Sequence, residues 1–157
     1  MSIEPTCDYC HQCTKFRCKS AEDAEKCAEE TRMEVFKNIR HKHIFVFGSN
    51  LGGRHGKGAA LFARDNYGAV YGEGAGRTGN AYGIPTKDVN LKILSLDMIE
   101  THVKVFNMYT FDHPNLIFLV TPFGTGLAGY NKLDIIAIMQ KLVWTRNVLF
   151  TKEWMNL

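Results

Sequence analysis

The chain has 157 residues, of which 45% are hydrophobic and 22% are charged. These proportions fit one ordinary globular domain and exclude a disordered or fibrous protein. No apolar run reaches the length of about 18 residues that a membrane span requires, and the first residues lack the basic and then apolar pattern of a secretion signal. We therefore expect a cytoplasmic protein with no membrane partner. The net charge of +3 is too small to favour duplex DNA but suits a small anionic ligand.

Cysteine and glycine divide the sequence into two parts. All five cysteines lie within the first 27 residues, and all fourteen glycines lie between Gly48 and Gly129. We predict a Cys-rich extension over residues 1–42, which continues into a charged helix over residues 20–40. Residues 43–157 alternate short apolar runs, Gly-rich turns and helical patterns, which indicates an α/β domain.

The cysteines of the extension have the close spacing of metal ligands. In a chain without a secretion signal, such crowding favours a metal over disulfides. A structural zinc ion is the first interpretation, because four thiolates from one tight loop can form its tetrahedral site. An iron–sulfur cluster and reduced free thiols remain alternatives. Four ligands must come from six candidates, and the spacing does not choose among Cys7, Cys10, Cys13, Cys18, Cys27 and His11.

The main domain begins with a strand, a Gly-rich loop and a helix. Residues 43–47 are apolar and partly β-branched, residues 48–58 are rich in glycine, and residues 59–64 have helical apolar spacing. This arrangement directs unpaired backbone N–H groups and the positive end of a helix toward one point, where a pyrophosphate is well bound. The loop is not a Walker P-loop, since Leu51 and Gly58 occupy positions that need glycine and a hydroxyl residue. Nucleoside triphosphate hydrolysis is therefore disfavoured.

A second glycine cluster over residues 72–79 contains the spacing G-x-G-x-x-G. A strand-like run that ends in proline follows it, rather than a helix, so we interpret the cluster as a flexible connection in which Arg77 is a candidate phosphate contact. The run leads into Pro85, Thr86, Lys87 and Asp88. A lysine just past a strand end, in a chain rich in anion-binding loops, is a candidate for chemistry.

The last part of the domain repeats the order of helix and strand. Residues 95–112 have the apolar spacing of a crossover helix, residues 116–120 form a continuous β run typical of a parallel strand, and a helix is predicted over residues 132–143. The intervening loop carries G-x-G-x-x-G at residues 124–129. A Rossmann interpretation is disfavoured because the remaining sequence is too short for the other strands.

Three segments carry a resemblance to a known family: GSNLGGRHGKGAA at residues 48–60, IPTKD at 84–88 and FLVTPFGTGLAGY at 118–130. Together they resemble the macrodomain superfamily. Within it they are most similar to the branch that contains the antitoxin glycohydrolase of the DNA-ADP-ribosylating DarTG pair and the terminal ADP-ribose protein glycohydrolase. The first segment is also similar to small phage and bacterial proteins, and a phage protein would act in the host cytoplasm.

The resemblance implies a three-layer α/β/α domain with a mixed sheet that binds ADP-ribose, free or attached to a macromolecule, across its strand ends. It makes Lys87 the nucleophile that attacks the anomeric carbon, a role that a lysine amine can fill. An acidic partner found in the human-type enzyme is Ala128 here, so Asp88 is the candidate general base. The ligand-binding residues it implies, together with neighbouring loop positions, are Gly48, Ser49, Asn50, His55, Gly56, Lys57, Gly58, Pro85, Thr86, Gly124, Thr125, Gly126 and Leu127.

Two functions follow from these expectations. The domain either removes ADP-ribose from a modified nucleic acid or protein through Lys87, or it holds ADP-ribose or a derived signalling nucleotide without turnover, as a phage protein acting against host defence would. A nucleic acid enters the first function only as the modified substrate. A role of the cysteines in binding nucleic acid, with the domain as a scaffold, has the least support.

Overall fold

The computed structural model describes residues 43–155 of the chain. The predicted metal ligands Cys7, Cys10, Cys13, Cys18, Cys27 and His11 and the predicted helix over residues 20–40 lie outside the described residues. The described elements, in chain order, are β1 (His43–Asn50), α1 (Gly58–Tyr67), β2 (Gly76–Thr78), β3 (Ala81–Lys87), α2 (Leu96–Asp112), β4 (Ile117–Val120), α3 (Lys132–Gln140), β5 (Val148–Phe150) and a short 3₁₀ helix (Lys152–Trp154). No helix among them is both long and apolar enough to cross a membrane.

The strands form one mixed sheet in the order β2-β3-β1-β4-β5. Strand β1 lies at its centre and pairs in parallel with β3 on one side and β4 on the other, and β5 continues the parallel set. Among the five described strands, only β2 runs antiparallel, at the edge beside β3. The predicted α/β class with a mixed sheet is confirmed. The carboxyl ends of the four parallel strands consequently lie along the same edge of the sheet.

Helices cover both faces of this sheet, because the central strand is apolar on both sides. Ile44 and Val46 point into a core shared with α2 and α3. Phe45 and Phe47 point into a second, smaller core with Ala60 and Ala63 of α1. The alternation of side chains along a strand places successive residues of β1 in different cores.

The helices differ in how their N-termini are satisfied. Ser95 and Asn131 cap α2 and α3 with side-chain oxygens that accept from the backbone N–H of Met98 and of Leu133. Helix α1 follows Lys57, which has extended backbone and makes no side-chain capping hydrogen bond. The first turn of α1 therefore keeps backbone N–H groups without a capping acceptor, whereas α2 and α3 each have one such group capped by a side chain.

The interpretation of residues 72–79 as a flexible connection is corrected by the structure. Residues 76–78 form β2, and the loop before β2 packs directly against the backbone of the loop after β1. A Cβ atom on Gly74 would lie 1.7 Å from the carbonyl oxygen of Asn50, and one on Gly53 would lie 2.2 Å from the amide nitrogen of Glu73. These glycines let two loops approach more closely than side chains allow. The cluster is thus a packed part of the sheet edge.

Candidate functional site

A cavity of about 560 Å³ opens at the carboxyl edge of the sheet. Most of its lining comes from three stretches of chain, namely the end of β1 with the following loop and first turn of α1, the end of β3, and the loop between β4 and α3. Tyr71 and Leu91 join the lining from two further turns. The predicted residues that line it are Gly48, Ser49, Asn50, Gly56, Lys57, Gly58, Thr86, Lys87, Gly124, Gly126 and Leu127. The sheet order explains this meeting, since β3 and β4 flank β1 and end on the same side.

Backbone pairing fixes the distances among these segments. Asn50 is paired with Lys87 where β1 and β3 end, beyond a register shift after Ser49. Gly48 allows the loop between β4 and α3 to approach the end of β1 closely, because a Cβ atom at position 48 would lie 3.1 Å from Cβ of Phe123. The ends of β1, β3 and β4 therefore form one continuous floor.

Hydrogen bonds hold the floor residues in place. The Asn50 side chain donates to the Arg54 carbonyl and accepts from the Arg54 amide, at 3.0 and 2.9 Å, and so closes the start of the Gly-rich loop. The Ser49 hydroxyl donates to the Gly74 carbonyl, and the Thr86 hydroxyl donates to the Ser49 carbonyl. These buried polar groups satisfy one another, which keeps the loops in a single arrangement.

Two predicted site residues do not line the cavity for simple geometric reasons. Pro85 is buried within β3, and Thr125 is half-buried in the last loop without facing the cavity. Their neighbours Thr86, Gly124 and Gly126 do line it.

His55 lies beneath the Gly-rich loop rather than in the cavity. Its side chain is 0% exposed, its Nε2 lies 3.1 Å from the carbonyl oxygen of Glu73, and its ring meets Phe47 edge to face at 5.4 Å. The expected contact of His55 with a ligand therefore has no geometric support. Its position makes it a packing residue between the Gly-rich loop and the turn around Glu73.

Asp88 is half-buried and its carboxylate is engaged in a turn. One oxygen accepts from the backbone N–H groups of Asn90 and Lys92, at 2.8 and 2.9 Å. Asp88 does not line the cavity. This arrangement orders the segment after β3 and commits one oxygen of the carboxylate to the turn.

The charged residues of the cavity all have the same sign. Arg54, Lys57 and Lys87 line it, and no carboxylate does among residues 43–155. None of the three side chains forms an ion pair with a described residue. A concave site with unpaired cations attracts an anion.

Two sets of backbone N–H groups border the same space. Gly58, Ala59 and Ala60, in the uncapped first turn of α1, donate no hydrogen bond to a described residue. The same holds for the amides of residues 123–128, whose loop is closed only by the bonds from Gly129 to Gly126 and from Tyr130 to Gly124. Amides at a helix N-terminus and in a Gly-rich loop are the usual backbone donors to phosphate groups.

Lys87 stands at the junction of these features. It is half-buried at the last position of β3, its carbonyl accepts from the Leu51 amide at 2.9 Å, and its side chain lines the cavity. An isolated antiparallel bridge to Ile93 holds its backbone as well. The base of the side chain is thus fixed, while the amine is available to a bound molecule.

Eight lining residues were not among the predicted site residues, namely Arg54, Ala59, Ala60, Tyr71, Leu91, Pro122, Phe123 and Ala128. Arg54 lay inside the Gly-rich loop, and its charge was a usable signal. Tyr71 precedes the glycine cluster, and Leu91 has a φ of 65° in the turn that Asp88 orders. Nothing in the local pattern indicated that these two turns face the cavity, because that depends on the pairing of β3 with β1.

The described residues hold no group of three or more His, Cys, Asp or Glu side chains that could bind a metal ion. Comparison of the chain with family models, with curated proteins and with solved structures gives no match. The arguments for a function therefore rest on the site itself.

Proposed function

We propose that the domain binds ADP-ribose, free or attached to a nucleic acid or protein, and that Lys87 cleaves the attached form. One observation carries the proposal. The three segments that resemble macrodomains, at residues 48–60, 84–88 and 118–130, meet at one cavity, which also has three cations and backbone amides without partners among the described residues. A cavity of about 560 Å³ is within the usual range for small-molecule sites.

The diphosphate is the part of ADP-ribose that this site recognises most directly. It carries two negative charges, and the first turn of α1 faces the loop of residues 123–128 across the cavity lining. Amides from both sides donate to the phosphate oxygens, and Lys57 neutralises part of their charge. A neutral sugar alone would leave these donors and cations without partners.

The proposed reaction uses the neutral amine of Lys87 as the nucleophile. Its Nζ atom bonds to the anomeric carbon of the distal ribose while the bond from that carbon to the carrier atom breaks. The secondary ammonium that forms at Nζ gives one of its protons to the departing carrier group, which leaves a neutral secondary amine. Water then adds to the same carbon, the carbon–nitrogen bond breaks with return of a proton to Nζ, and ADP-ribose leaves.

Substitution of Lys87 tests the two parts of the proposal separately. Calorimetric titration should detect ADP-ribose binding to the wild type, and Lys87→Ala should retain it within about ten-fold because the amides remain. Release of ADP-ribose from a modified oligonucleotide or protein should fall by about 100-fold or more in Lys87→Ala, as expected for a lost nucleophile. Lys92→Ala removes a nearby exposed lysine outside the cavity and should change neither quantity.

A second function is favoured by one specific observation. The described lining contains no carboxylate and no histidine, and the carboxylate of Asp88 is engaged in its turn. A site without a general base suits a module that sequesters ADP-ribose or a derived signalling nucleotide. Tight binding by a wild-type protein that cleaves no member of a substrate panel would establish this function and overturn the hydrolytic one. Absence of ADP-ribose binding would overturn both.

A further inference from the structure

Tyr71 is an unusual member of the cavity lining. It is 61% exposed although it faces the cavity. Among the described residues its ring meets no other aromatic ring, and its hydroxyl makes no hydrogen bond. A large aromatic side chain with no partner inside the protein, at the mouth of a ligand-sized cavity, is suited to contact a ligand.

The backbone that carries Tyr71 is rigidly held. Residues 70–73 form a turn closed by the bond from the Glu73 amide to the Val70 carbonyl, and Gly72 supplies the positive φ of 95°. The Gly72 amide also donates to the Gly53 carbonyl at 2.9 Å. The turn is therefore fixed to the Gly-rich loop, and the ring leaves a backbone that does not need to be ordered when a ligand binds.

Arg54 lies beside the other end of this hydrogen bond, since it directly follows Gly53 in the Gly-rich loop. It follows Gly53, as Tyr71 precedes Gly72, so the two side chains start from adjacent positions on backbones that are hydrogen-bonded to each other. The main chain of Arg54 is held in both directions by the Asn50 side chain, and its guanidinium has no ion-pair partner among the described residues. An aromatic ring and a cation are thus presented together at the mouth.

We propose that Tyr71 and Arg54 form a subsite that stacks a nucleobase and holds a neighbouring phosphate. Stacking on an aromatic side chain accepts any base, and an adjacent guanidinium binds the phosphate attached to it. This inference rests on the proposed function and deepens it, because it states where the ligand's planar ring is recognised. The base has two sources, the adenine of ADP-ribose itself or the base of a modified nucleotide to which ADP-ribose is attached.

The test measures binding of two probes to two variants of the full chain. The probes are ADP-ribose and an ADP-ribosylated oligonucleotide, titrated into wild type, Tyr71→Ala and Tyr71→Phe. We expect Tyr71→Ala to weaken at least one probe by about ten-fold and Tyr71→Phe to restore it, because phenylalanine keeps the stacking face. An etheno-adenine analogue of ADP-ribose adds a fluorescence signal that stacking quenches.

Phe111→Ala is the matched control. Phe111 is an aromatic residue of α2 that is 52% exposed and lies outside the cavity lining, so its loss should change neither affinity. Inorganic pyrophosphate is the base-free probe, and Tyr71→Ala should bind it as the wild type does. Arg54→Gln should weaken binding of the same probe that Tyr71→Ala affects, and it should reduce the salt dependence of that binding.

The outcomes separate the sources and the proposals. A loss for both probes in Tyr71→Ala assigns the stacked ring to adenine, and a loss for the oligonucleotide alone assigns it to the carrier base. Unchanged affinity for both, with binding intact in the wild type, overturns the subsite and leaves the proposed function standing. Failure of the wild type to bind either probe overturns the proposed function itself.

Discussion

Gly124 shows how one residue determines the shape of the loop that follows β4. Its φ is 74°, and a Cβ atom would lie 2.9 Å from Cδ1 of Ile135, which is fully buried. Left-handed backbone is costly for residues with a Cβ atom, at about 1–2 kcal/mol. The left-handed backbone therefore favours glycine here, and a Cβ atom would also force the end of the Ile135 side chain to shift. Gly126, two positions later, has no neighbour within 4 Å of such an atom and no positive φ.

We expect Gly124→Ala to lower the free energy of unfolding by about 1–2 kcal/mol and to weaken ADP-ribose binding, because the amides of residues 123–128 move. Gly126→Ala should leave the free energy of unfolding within about 0.5 kcal/mol of the wild type. Urea unfolding and calorimetric titration of both variants measure these effects. Equal stability of the two variants would contradict the strain assigned to Gly124.

At the residue scale the sequence predicted the site better than it predicted individual roles. Lys57, Lys87 and Gly124 were expected in one site from the family resemblance, and all three line the cavity. His55 and Asp88 were selected by the same reasoning, yet one is buried and the other orders a turn. Neighbours in a loop alternate between inward and outward positions, and a sequence pattern does not indicate which of them faces the ligand.

At the scale of elements, the three described α-helices begin in two different ways. Ser95 and Asn131 cap α2 and α3, whereas Lys57 gives α1 no side-chain acceptor. An uncapped start costs stability, at about 1 kcal/mol relative to a serine or asparagine. Of the three described α-helices, only α1 lacks a side-chain cap, and its first turn lines the cavity, so its amides are left for a ligand.

Lys57→Ser tests this use of the helix start. Lys57 has the extended backbone of a capping position, so serine should cap α1 and raise the free energy of unfolding by about 0.5–1 kcal/mol. The serine also occupies an amide and removes a cation, and we expect ADP-ribose affinity to fall by about ten-fold or more. Urea unfolding in a buffer without phosphate or sulfate measures the stability, and calorimetric titration measures the affinity for ADP-ribose.

Lys57→Ala is the control for the charge. It removes the cation without adding a cap, so it should bind ADP-ribose more tightly than Lys57→Ser and gain no stability. Equal affinity of the two variants would show that the amides of α1 do not contact the ligand.

The elements themselves followed well from hydrophobic periodicity. The helix predicted over residues 95–112 is α2 almost to the residue, and the run at residues 116–120 contains β4. Strand β2 was missed because a three-residue strand that begins with a glycine carries no alternation to detect. Its pairing with β3 and the close approach of Gly74 to Asn50 are tertiary features that no local pattern specifies.

At the scale of the whole molecule, one carboxylate joins two helices on the same face of the sheet. Glu100 of α2 accepts from Lys141, just after α3, at 2.7 Å, and it also lies 2.9 Å from Lys104. The hydrogen bond from Lys141, followed by that from Lys104, lowers the pKa of Glu100 below its ordinary value of 4.5. The protein therefore binds a proton at this site less readily when folded than when unfolded.

This shift predicts a direction for the pH dependence of stability. The contribution of Glu100 is present above its unfolded pKa and is lost as the pH falls through the lower folded pKa. Glu100→Gln should therefore flatten the loss of stability on the acid side of about pH 4.5. Lys141→Met should flatten it in the same direction, because it removes the largest cause. Urea unfolding across this pH range measures both, and an unchanged acid limb in both variants would contradict the coupling.

The sheet order is the part of the fold that sequence reasoning left open. The elements other than β2 and their order along the chain were predictable, but the position of β1 between β3 and β4 follows from long-range pairing. This position brings Thr86, Asn50 and Gly124 to one place. Their common location was an expectation from resemblance, and no local physical signal in the chain could have established it.

The central place of β1 has a consequence for how the protein is made. This strand leaves the ribosome first among the described strands, with its apolar residues Ile44–Phe47 exposed, and its two neighbours are synthesised only when Ala81–Lys87 and then Ile117–Val120 emerge. A nascent chain that ends before Val120 would thus lack one flank of its central strand. Such fragments should engage chaperones or aggregate, and stable folding should begin only late in translation.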